Sequence, residues 1–361
     1  MMSNEFAFTH PNVARDDLVV YNARNYPFRI CGLYHPERSG LFRRMPQEIA
    51  ENTSKHVHLL HTNTAGARLR FMTNSPYIAV GAIFPPLELP FPRTAALAGS
   101  CAFSFDVYAN REHCRVLWPE TLMQLGSLVG FQIPDGKYEA VINFPEKKNR
   151  EITICFPCFA NISDVYIGIQ EGSVLECGES YCNQNPVVFY GSSITQGACA
   201  SRSGNIYQNI LSRKLNFDYI NLGFAGACRA ENAIVDYLCT LDTPLLVFDY
   251  DHNAKSPAFL EKTHLPALRK FRAAHPQTPI IVLSRPDRDA GVDDAMRRAE
   301  IIENNCRILQ IESNAPVHFI HGQKIFLSHD KDMMTIDGTH PTDLGFHCMA
   351  EALYDVMKLY F

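Results

Sequence analysis

Residues Pro186–Gly197 have the sequence Pro-Val-Val-Phe-Tyr-Gly-Ser-Ser-Ile-Thr-Gln-Gly. The stretch begins with a short apolar, β-branched run, which is typical of a strand buried in a parallel sheet. The run stops at Gly191 and leaves the hydroxyls of Ser192 and Ser193 at the carboxyl end of that strand. Open α/β folds bind their ligands at this edge, where backbone N–H groups of a following helix can hold negative charge. Taken alone, the stretch indicates either a polar turn or a reactive serine.

The second half of the chain alternates apolar runs of strand length with helical patterns. Strands are predicted at Val187–Tyr190, Tyr219–Leu222, Leu245–Tyr250, Ile280–Leu283 and Val317–Ile320, and helices near Ile206–Leu215, Glu231–Leu241, Ala258–Ala274, Asp293–Leu309 and Leu344–Leu359. Strands separated by helices of this length predict a parallel sheet with helices on both faces, which is a three-layer α/β domain.

The first half of the chain is β-rich. Its candidate strands are His56–His61, Arg68–Thr73, Tyr77–Ile83, Ala102–Tyr108, Tyr138–Phe144, Glu151–Phe156 and Asp164–Ile169. Short strands separated by turn signals predict an all-β sandwich, similar to a jelly roll. The polar segment Glu176–Pro186 follows, so we predict a β-sandwich domain over residues 1–183 and the α/β domain over residues 184–361.

Composition and charge argue against several classes of protein. The 361 residues are 46% hydrophobic and 20% charged, as in ordinary globular proteins. A formal net charge of −5 argues against a dedicated nucleic-acid binder. No apolar run approaches the roughly 18 residues of a transmembrane helix, so no membrane association is expected. The segment Met1–Phe6 lacks the basic and apolar regions of a signal peptide, and we therefore expect a cytoplasmic location.

The chain has 12 cysteines, of which Cys155 and Cys158 form a Cys-x-x-Cys pair. One interpretation of such a pair is a zinc site. The alternating pattern of Glu151–Phe156 favours the other interpretation, in which Cys155 is a small apolar strand residue. We therefore expect no metal and no cofactor, and scattered free thiols fit a reducing compartment.

Asp337 and His340 lie three residues apart, just before the last helical pattern. At this spacing the carboxylate can reach the imidazole and hold it in one tautomer. A lone histidine at the start of a helix is more often a cap or a solvated side chain. Together with Ser193 in the same chain, the pair instead indicates a Ser-His-Asp catalytic set. Asp343 is expected to cap the final helix.

Four short blocks of the chain resemble the conserved blocks of the SGNH/GDSL hydrolases, in the family's order. Gly191–Gly197 resembles the first block and Gly226 the glycine of the second. Asn253 resembles the asparagine of the third block, and Asp337–His340 resembles the last. The resemblance covers about residues 186–361 and implies the SGNH-type α/β fold.

The resemblance also implies a role for each matched residue. Ser193 would be the nucleophile, His340 the general base and Asp337 the group that orients the imidazole. The oxyanion would bind to the backbone N–H groups of Ser193 and Gly226 and to the side-chain amide of Asn253. We expect glycine at 226 because a side chain there would crowd the backbone donor away from the oxyanion.

The chain departs from the family pattern in two blocks. Ser192 replaces the aspartate that gives the GDSL signature its name, and it is a weaker candidate for the nucleophile. In the third block, Asp251 and Ala254 replace the glycine and the trailing aspartate. His252 and Arg285 lie near the same strand ends, where each is either a substrate-facing or a structural side chain.

The resemblance implies a serine esterase that hydrolyses short-chain esters, foremost acetyl esters, of a carbohydrate or related small molecule. A β-sandwich before an SGNH domain is similar to several bacterial carbohydrate-esterase families. Two alternatives stay open: an acyltransferase or thioesterase that uses the same triad, and an inactive protein whose sandwich binds glycan. The expected partner is the ester substrate, and the oligomeric state is left open.

Overall fold

The structure is a computed structural model that describes residues 6–85, 97–120, 136–286, 292–326 and 330–361. Its strands are β1 (Leu18–Asn22), β2 (Arg29–Cys31), β3 (Arg68–Thr73), β4 (Tyr77–Phe84), β5 (Phe105–Ala109), β6 (Glu112–Leu117), β7 (Gly136–Asn143), β8 (Arg150–Cys155), β9 (Asp164–Gln170), β10 (Leu175–Cys177), β11 (Val187–Gly191), β12 (Tyr219–Gly223), β13 (Leu246–Asp249), β14 (Ile280–Leu283) and β15 (Val317–Ile320).

The helices are interspersed among these strands. They are α1 (Gln47–Thr53), α2 (Lys55–Leu60), α3 (Gly99–Phe103), α4 (Ser193–Gln196), α5 (Tyr207–Leu215), α6 (Asn232–Thr240), α7 (Pro257–Ala274), α8 (Val292–Ser313), α9 (Gly322–Ile325) and α10 (Asp343–Met357), with short 3₁₀ turns at Ser203–Asn205, Asp251–Asn253 and Lys331–Met333. Within the described ranges, none of these helices is both long and apolar enough to cross a membrane.

The chain divides into two compact units. The first contains the described residues up to Arg43, those of Thr62–Ser180, and Arg202–Gly204. The second contains Arg44–His61, Tyr181–Ser201 and the described residues from Asn205 onward. The domains predicted as 1–183 and 184–361 differ from these units mainly at Arg44–His61, and the predicted boundary stays a prediction.

The first unit contains two antiparallel sheets. One has the strand order β1-β9-β4-β7, and the other has the order β10-β3-β8-β5-β6, with β2 paired to β3. Aromatic rings of both sheets meet: Phe105 of β5 packs edge-on against Phe84 of β4 and Tyr138 of β7, at centroid distances of 6.4 and 5.3 Å. The two sheets therefore share apolar contacts, while the sandwich with jelly-roll-like topology stays a prediction.

The prediction of a strand at His56–His61 is wrong, because Lys55–Leu60 forms helix α2. Ser54 caps this helix by accepting a hydrogen bond from the N–H of Val57 at 3.2 Å. Val57 and Leu60 are buried and lie three residues apart, which is the spacing of one helical face. The partial alternation of apolar and polar residues concealed this helical spacing.

The second unit is built on a parallel sheet with the strand order β12-β11-β13-β14-β15. One face carries Val188, Tyr190, Phe248 and Val282, which join a buried cluster with apolar side chains of α6, α7 and α8. Helices also cover the other face.

On that face, Phe189 packs against Tyr207 of α5, which stacks on Phe346 of α10. Burial of each such ring contributes about 2–3 kcal/mol. The parallel sheet with helices on both faces, and with it the mixed α/β fold class, is confirmed.

Cys155 and Cys158 are both buried free thiols in the first unit. Cys155 is the last residue of β8, as expected of a small apolar strand residue. Within the described part of the chain, no group of three or more His, Cys, Asp or Glu side chains could hold a metal ion.

Candidate active site

Ser193 lies at the carboxyl edge of the parallel sheet, on the turn between β11 and α4. β11 is buried along its whole length and ends at Gly191, and α4 begins at Ser193. Ser192 caps the helix, because its hydroxyl accepts a hydrogen bond from the N–H of Ile194 at 3.2 Å. Ser192 is fully buried, whereas Ser193 is partly exposed. Of the two serines, Ser193 is therefore the one whose hydroxyl solvent can reach.

Two glycines let α4 sit directly on the ends of two strands. A Cβ on Gly191 would lie 2.0 Å from Thr195 Oγ1 and 2.5 Å from the carbonyl oxygen of Asp249. A Cβ on Gly223 would lie 2.3 Å from the backbone nitrogen of Gln196. Both approaches are closer than real Cβ atoms tolerate. Glycine at these two positions therefore allows the helix that carries Ser193 to pack directly against the ends of β11 and β12.

Ser193, His340 and Asp337 are joined by hydrogen bonds. Ser193 Oγ lies 2.9 Å from His340 Nε2, and His340 Nδ1 lies 2.7 Å from Asp337 Oδ2. Because an ionised carboxylate only accepts hydrogen bonds, Nδ1 carries the proton and Nε2 is left to accept from the serine hydroxyl. The structure thus brings together the three residues that the sequence pairs as nucleophile, base and orienting group.

Asp337 is held in place by the backbone that follows it. Burial of the carboxyl opposes ionisation, but hydrogen bonds from the His340 backbone and ring and from the Thr339 backbone outweigh it, so the pKa of Asp337 lies below its ordinary value. The two backbone bonds, from Thr339 and His340, measure 3.1 and 2.8 Å. Gly338, which lies between Asp337 and Thr339, turns the chain with φ +86°. The carboxylate is therefore ionised and hydrogen-bonded both to the imidazole and to the backbone that follows it.

The loop that carries His340 is closed on itself before α10. Ile336 N–H donates to the His340 carbonyl at 2.9 Å, and Thr342 N–H donates to the Met334 carbonyl at 2.9 Å. The Thr342 hydroxyl caps α10 by accepting from the N–H of Gly345 at 3.3 Å. These bonds fix the backbone position of His340 and the first turn of α10.

The expectation that Asp343 caps this helix is wrong, because Thr342 is the cap and Asp343 is the first helical residue. The Asp343 carboxylate instead accepts hydrogen bonds from the backbone and hydroxyl of Ser201 and from Asn205 Nδ2, the first and last at 2.8 Å. It thereby ties the chain that follows α4 to the start of α10.

Gly226 lies in the segment that follows β12, and its backbone has φ +69°. The crowding of the oxyanion donor stays a prediction, but a Cβ there would meet nothing within 4 Å, so packing against the described protein atoms does not require the glycine. The left-handed backbone explains the glycine instead. The Gly226 carbonyl accepts from Arg229 Nη2 at 3.1 Å, and the neighbouring Ala225 N–H donates to Gln196 Oε1 at 3.0 Å. The second bond ties this segment to α4.

Asn253 is the last residue of the 3₁₀ turn that follows β13. Its side-chain oxygen accepts a hydrogen bond from the N–H of Cys228 at 3.1 Å. The amide is therefore oriented with its NH₂ group away from that contact, and its nitrogen donates to no other group in the described ranges. Hydrogen bonds thus link the segment of Gly226 to α4 on one side and to Asn253 on the other.

His252 and Arg285 lie on the same side of the sheet. His252 occupies the middle of the 3₁₀ turn, directly before Asn253. Arg285 follows β14, and its backbone N–H donates to Asp251 Oδ2 at 2.9 Å. His252 therefore lies within the third block, and the backbone of Arg285 is hydrogen-bonded to it.

Asp249, at the end of β13, is a buried acid that the sequence analysis did not single out. Its Oδ2 accepts from Thr195 Oγ1 at 3.2 Å and from the Tyr207 hydroxyl at 3.4 Å. Burial raises the pKa of the Asp249 carboxyl to about 7. The sequence feature that could have indicated it is an aspartate near the end of the apolar strand Leu245–Tyr250.

Two protein families match the chain. Residues 184–358 match the GDSL-like Lipase/Acylhydrolase family, and residues 18–175 match the family described as the N-terminus of Esterase_SGNH_hydro-type. No curated protein sequence matches the chain.

Solved structures share the fold across both units. A protein from Bacteroides ovatus described as a GDSL-like lipase is 26% identical, with a TM-score of 0.79 over 95% of this chain and 98% of its own. The salicylyl-acyltransferase SsfX3 from a tetracycline biosynthetic pathway is 18% identical, with a TM-score of 0.74 over 96% and 98%. A family two carbohydrate esterase from Clostridium thermocellum, solved with cellohexaose, is 11% identical, with a TM-score of 0.59 over 82% and 93%.

The two family matches follow one another along the chain, and the match over residues 184–358 contains all four blocks that resemble the family's motifs. The chain belongs to the SGNH/GDSL hydrolases and is a carboxylic ester hydrolase.

Proposed function

We propose that this protein is a serine esterase that cleaves short-chain esters, foremost acetyl esters, of a carbohydrate or related small molecule. The observation that carries the proposal is the continuous set of hydrogen bonds from Ser193 Oγ to His340 Nε2 and from His340 Nδ1 to Asp337 Oδ2, at 2.9 and 2.7 Å. These are the contacts that a hydroxyl nucleophile needs in order to lose its proton as it attacks.

In the proposed reaction, Ser193 Oγ attacks the ester carbonyl while His340 Nε2 takes the hydroxyl proton. The imidazolium that forms is stabilised by Asp337, and it then donates its proton to the departing alcohol. Water, deprotonated by His340, attacks the acyl-enzyme, and His340 then returns that proton to Ser193 Oγ as the acid leaves. Each step moves one proton between the imidazole and an oxygen, so the triad ends as it began.

The developing oxyanion would bind between α4 and the segments that follow β12 and β13. The backbone N–H of Ser193 is in the first turn of α4, and the N–H of Gly226 belongs to a left-handed turn. The Asn253 NH₂ group is the third donor, because the Cys228 N–H already occupies the amide oxygen. Donors fixed before the reaction stabilise the charge as it forms.

Similarity supports the substrate class. The chain shares its fold with the Clostridium thermocellum carbohydrate esterase over most of both chains. Short acyl esters should be cleaved faster than long ones, because no long apolar lid segment is evident in the sequence. A preference for fatty-acyl chains would instead favour a lipase or thioesterase.

A second candidate is acyl transfer to an alcohol other than water. It is supported by the fold similarity to the salicylyl-acyltransferase, whose TM-score of 0.74 exceeds that of the carbohydrate esterase. The triad chemistry would be the same up to the acyl-enzyme, and only the acceptor would differ. Measuring free acid and new ester after incubation with an acyl donor and an excess of sugar alcohol separates the two.

The proposal is tested by labelling and by a pair of serine variants. A fluorophosphonate probe should label the protein, and the label should be absent from Ser193→Ala. Ester hydrolysis should be lost in Ser193→Ala and largely kept in Ser192→Ala, the matched control on the same turn. Equal loss in both variants, or full activity in Ser193→Ala, would contradict the nucleophile. Absence of both labelling and hydrolysis would leave the glycan-binding alternative.

A further inference from the structure

The turn that carries Asn253 is short and needs support from outside itself. It spans Asp251–Asn253, and within it the Asn253 N–H donates to the Tyr250 carbonyl at 2.9 Å. The Asn253 side chain contributes one further bond, to the N–H of Cys228. A single 3₁₀ turn has weak hydrogen-bond geometry of its own. Its position must therefore be set by the groups that surround it.

Arg298 of α8 supplies most of that support. Its Nη1 donates to the Asp251 carboxylate at 3.1 Å, to the Asp251 carbonyl at 3.3 Å and to the Ala254 carbonyl at 3.1 Å. Its Nε donates to Asp294 Oδ2 at 2.7 Å, which fixes the guanidinium on its own helix. Asp251 is the first residue of the turn and Ala254 directly follows it, so one guanidinium group holds both of its ends.

The Asp251 carboxylate connects this anchor to the neighbouring strand. Oδ1 receives the bond from Arg298, and Oδ2 receives the backbone N–H of Arg285 at 2.9 Å. Both members of the ion pair are buried, with Asp251 1% and Arg298 4% exposed. The turn is therefore held between α8 and the segment that follows β14.

A buried ion pair is weak evidence for stability, because desolvation of two charges can cancel their attraction. Apolar side chains of similar volume could pack α8 against the sheet equally well. What they could not do is fix the direction of two backbone carbonyls on either side of a polar residue. The geometry of the pair thus fits a role in placing the turn.

We propose that Arg298, through its bonds to Asp251 and Ala254, positions Asn253 to donate to the oxyanion. The inference rests on the proposed function, because it assumes that Asn253 acts in the transition state. Arg298 is a positioning residue and does not touch the substrate. The residues it holds, Asp251 and Ala254, are the two positions at which the chain departs from the third block of the family.

The direct test is Arg298→Lys. Lysine keeps the charge, but its compact ammonium cannot reproduce the planar set of donors to two carbonyls and two carboxylates. A small displacement of an oxyanion donor lowers the rate, so kcat should fall by about 10- to 100-fold with a KM change below about threefold. An unchanged kcat would overturn the proposal.

Arg272 of α7 offers a matched control at the other end of the sheet. It is as buried as Arg298, at 5% exposure, and its Nη1 and Nη2 donate to the carbonyls of Thr278 and Pro316 at 2.7 and 3.1 Å. These carbonyls precede β14 and β15, away from the carboxyl edge. Arg272→Lys should lower the melting temperature and leave kcat per folded molecule unchanged. Equal kcat losses in the two lysine variants would reduce Arg298 to a stabilising role.

A double-mutant cycle with Asn253→Ala identifies the route of the effect. If Arg298 acts through Asn253, the double variant should be no slower than Asn253→Ala alone. Independent, multiplying losses would overturn the inference. If Arg298→Lys fails to fold, Asp251→Asn replaces it in the double-mutant cycle with Asn253→Ala, because it removes the other charge of the same ion pair. Activity kept in Ser193→Ala would refute the proposed function itself, which is a distinct outcome.

Discussion

The two ends of the parallel sheet each contain a buried arginine, but the two arginines have opposite electrostatic surroundings. At the amino end, burial lowers the pKa of Arg272, whose side chain donates to backbone carbonyls. At the carboxyl end, burial likewise disfavours the charge of Arg298, but the carboxylates of Asp294 and Asp251 outweigh it and raise its pKa. The carboxyl groups of Asp249, at the end of β13, and of Asp251, in the turn that follows, both lie at the carboxyl end of the sheet.

The comparison shows how the polar side chains of one sheet can bind backbone at its amino end and take part in the proposed reaction at its carboxyl end. Thr243, at the amino end, also binds backbone, accepting from Leu245 N–H and donating to the Pro186 carbonyl at 2.9 Å. At the carboxyl end, side chains such as Ser193 and His340 retain exposed surface. Changes at the amino end should therefore affect stability, whereas changes to the partly exposed side chains at the carboxyl end, such as Ser193 and His340, should affect the rate.

The largest expected effect is that of Asp337→Asn, at the carboxyl end. An amide in place of the carboxylate would favour the wrong imidazole tautomer, so kcat should fall by on the order of 10³–10⁴. Asp337 is 42% exposed, so stability should change little. Steady-state kinetics with a short-chain ester measures the effect. A loss below tenfold would show that His340 is oriented mainly by its own loop.

The next effect is that of Asn253→Ala, which removes the side-chain donor of the proposed oxyanion site. We expect kcat to fall by on the order of 10²–10³, about 3–4 kcal/mol, with a smaller change in KM. Asn253→Asp should be at least as damaging, because a carboxylate repels the oxyanion. A lowered melting temperature with near-normal kcat would show that Asn253 only satisfies its turn.

A smaller effect concerns the buried acid at the end of β13. Because the pKa of Asp249 is raised to about 7, the folded protein keeps a proton that the unfolded chain has already released. Stability from this group is therefore fully present below about pH 4 and is lost as pH rises toward 7, by about 1.4 kcal/mol per pH unit.

Asp249→Asn should abolish this dependence, because the amide is neutral at every pH. Urea unfolding at pH 5 and pH 7 measures it: the free energy of unfolding of the variant, relative to wild type, should rise by about 2 kcal/mol between the two. Parallel pH profiles for the two proteins would mean that Asp249 is ionised in the folded state.

The smallest effect is that of Ser192→Ala on stability. Loss of the helix cap should lower the free energy of unfolding by about 1 kcal/mol. Thr342→Ala, which removes the cap of α10, should cost about the same and is the matched comparison. Calorimetry of both variants provides the measurement. A Ser192→Ala variant of unchanged stability would show that the Ile194 N–H finds another acceptor.

The second unit could be predicted well because the central strands of its sheet, β11, β13 and β14, are buried along their whole length. Val187–Gly191 and Ile280–Leu283 consist largely of β-branched and aromatic residues, which leave few alternatives to a central strand. Alternation is a weaker signal: at His56–His61 it coexisted with helical spacing, and the cap at Ser54 favoured the helix.

The candidate site was predictable only where its residues are close in sequence or resemble a motif. Asp337 and His340 are separated by three residues, and Ser193 ends an evident strand. Arg298 and Asp251, in contrast, are 47 residues apart, and nothing in the pattern of α8 distinguishes Arg298 from a surface arginine. Contacts of this kind depend on how the helices pack, which periodicity does not specify.

The close packing of α4 against Gly191 and Gly223 affects how fast its backbone amide protons exchange with solvent. A helix of four residues at the edge of a sheet would ordinarily open often, and its amides would exchange quickly. Here the Gln196 N–H bonds to the Ser192 carbonyl at 3.0 Å, and its nitrogen lies so close to Gly223 that a Cβ on that glycine would be 2.3 Å away. Deuterium should therefore enter at Gln196 about as slowly as in the central strands, although Ser193, one turn earlier, is partly exposed.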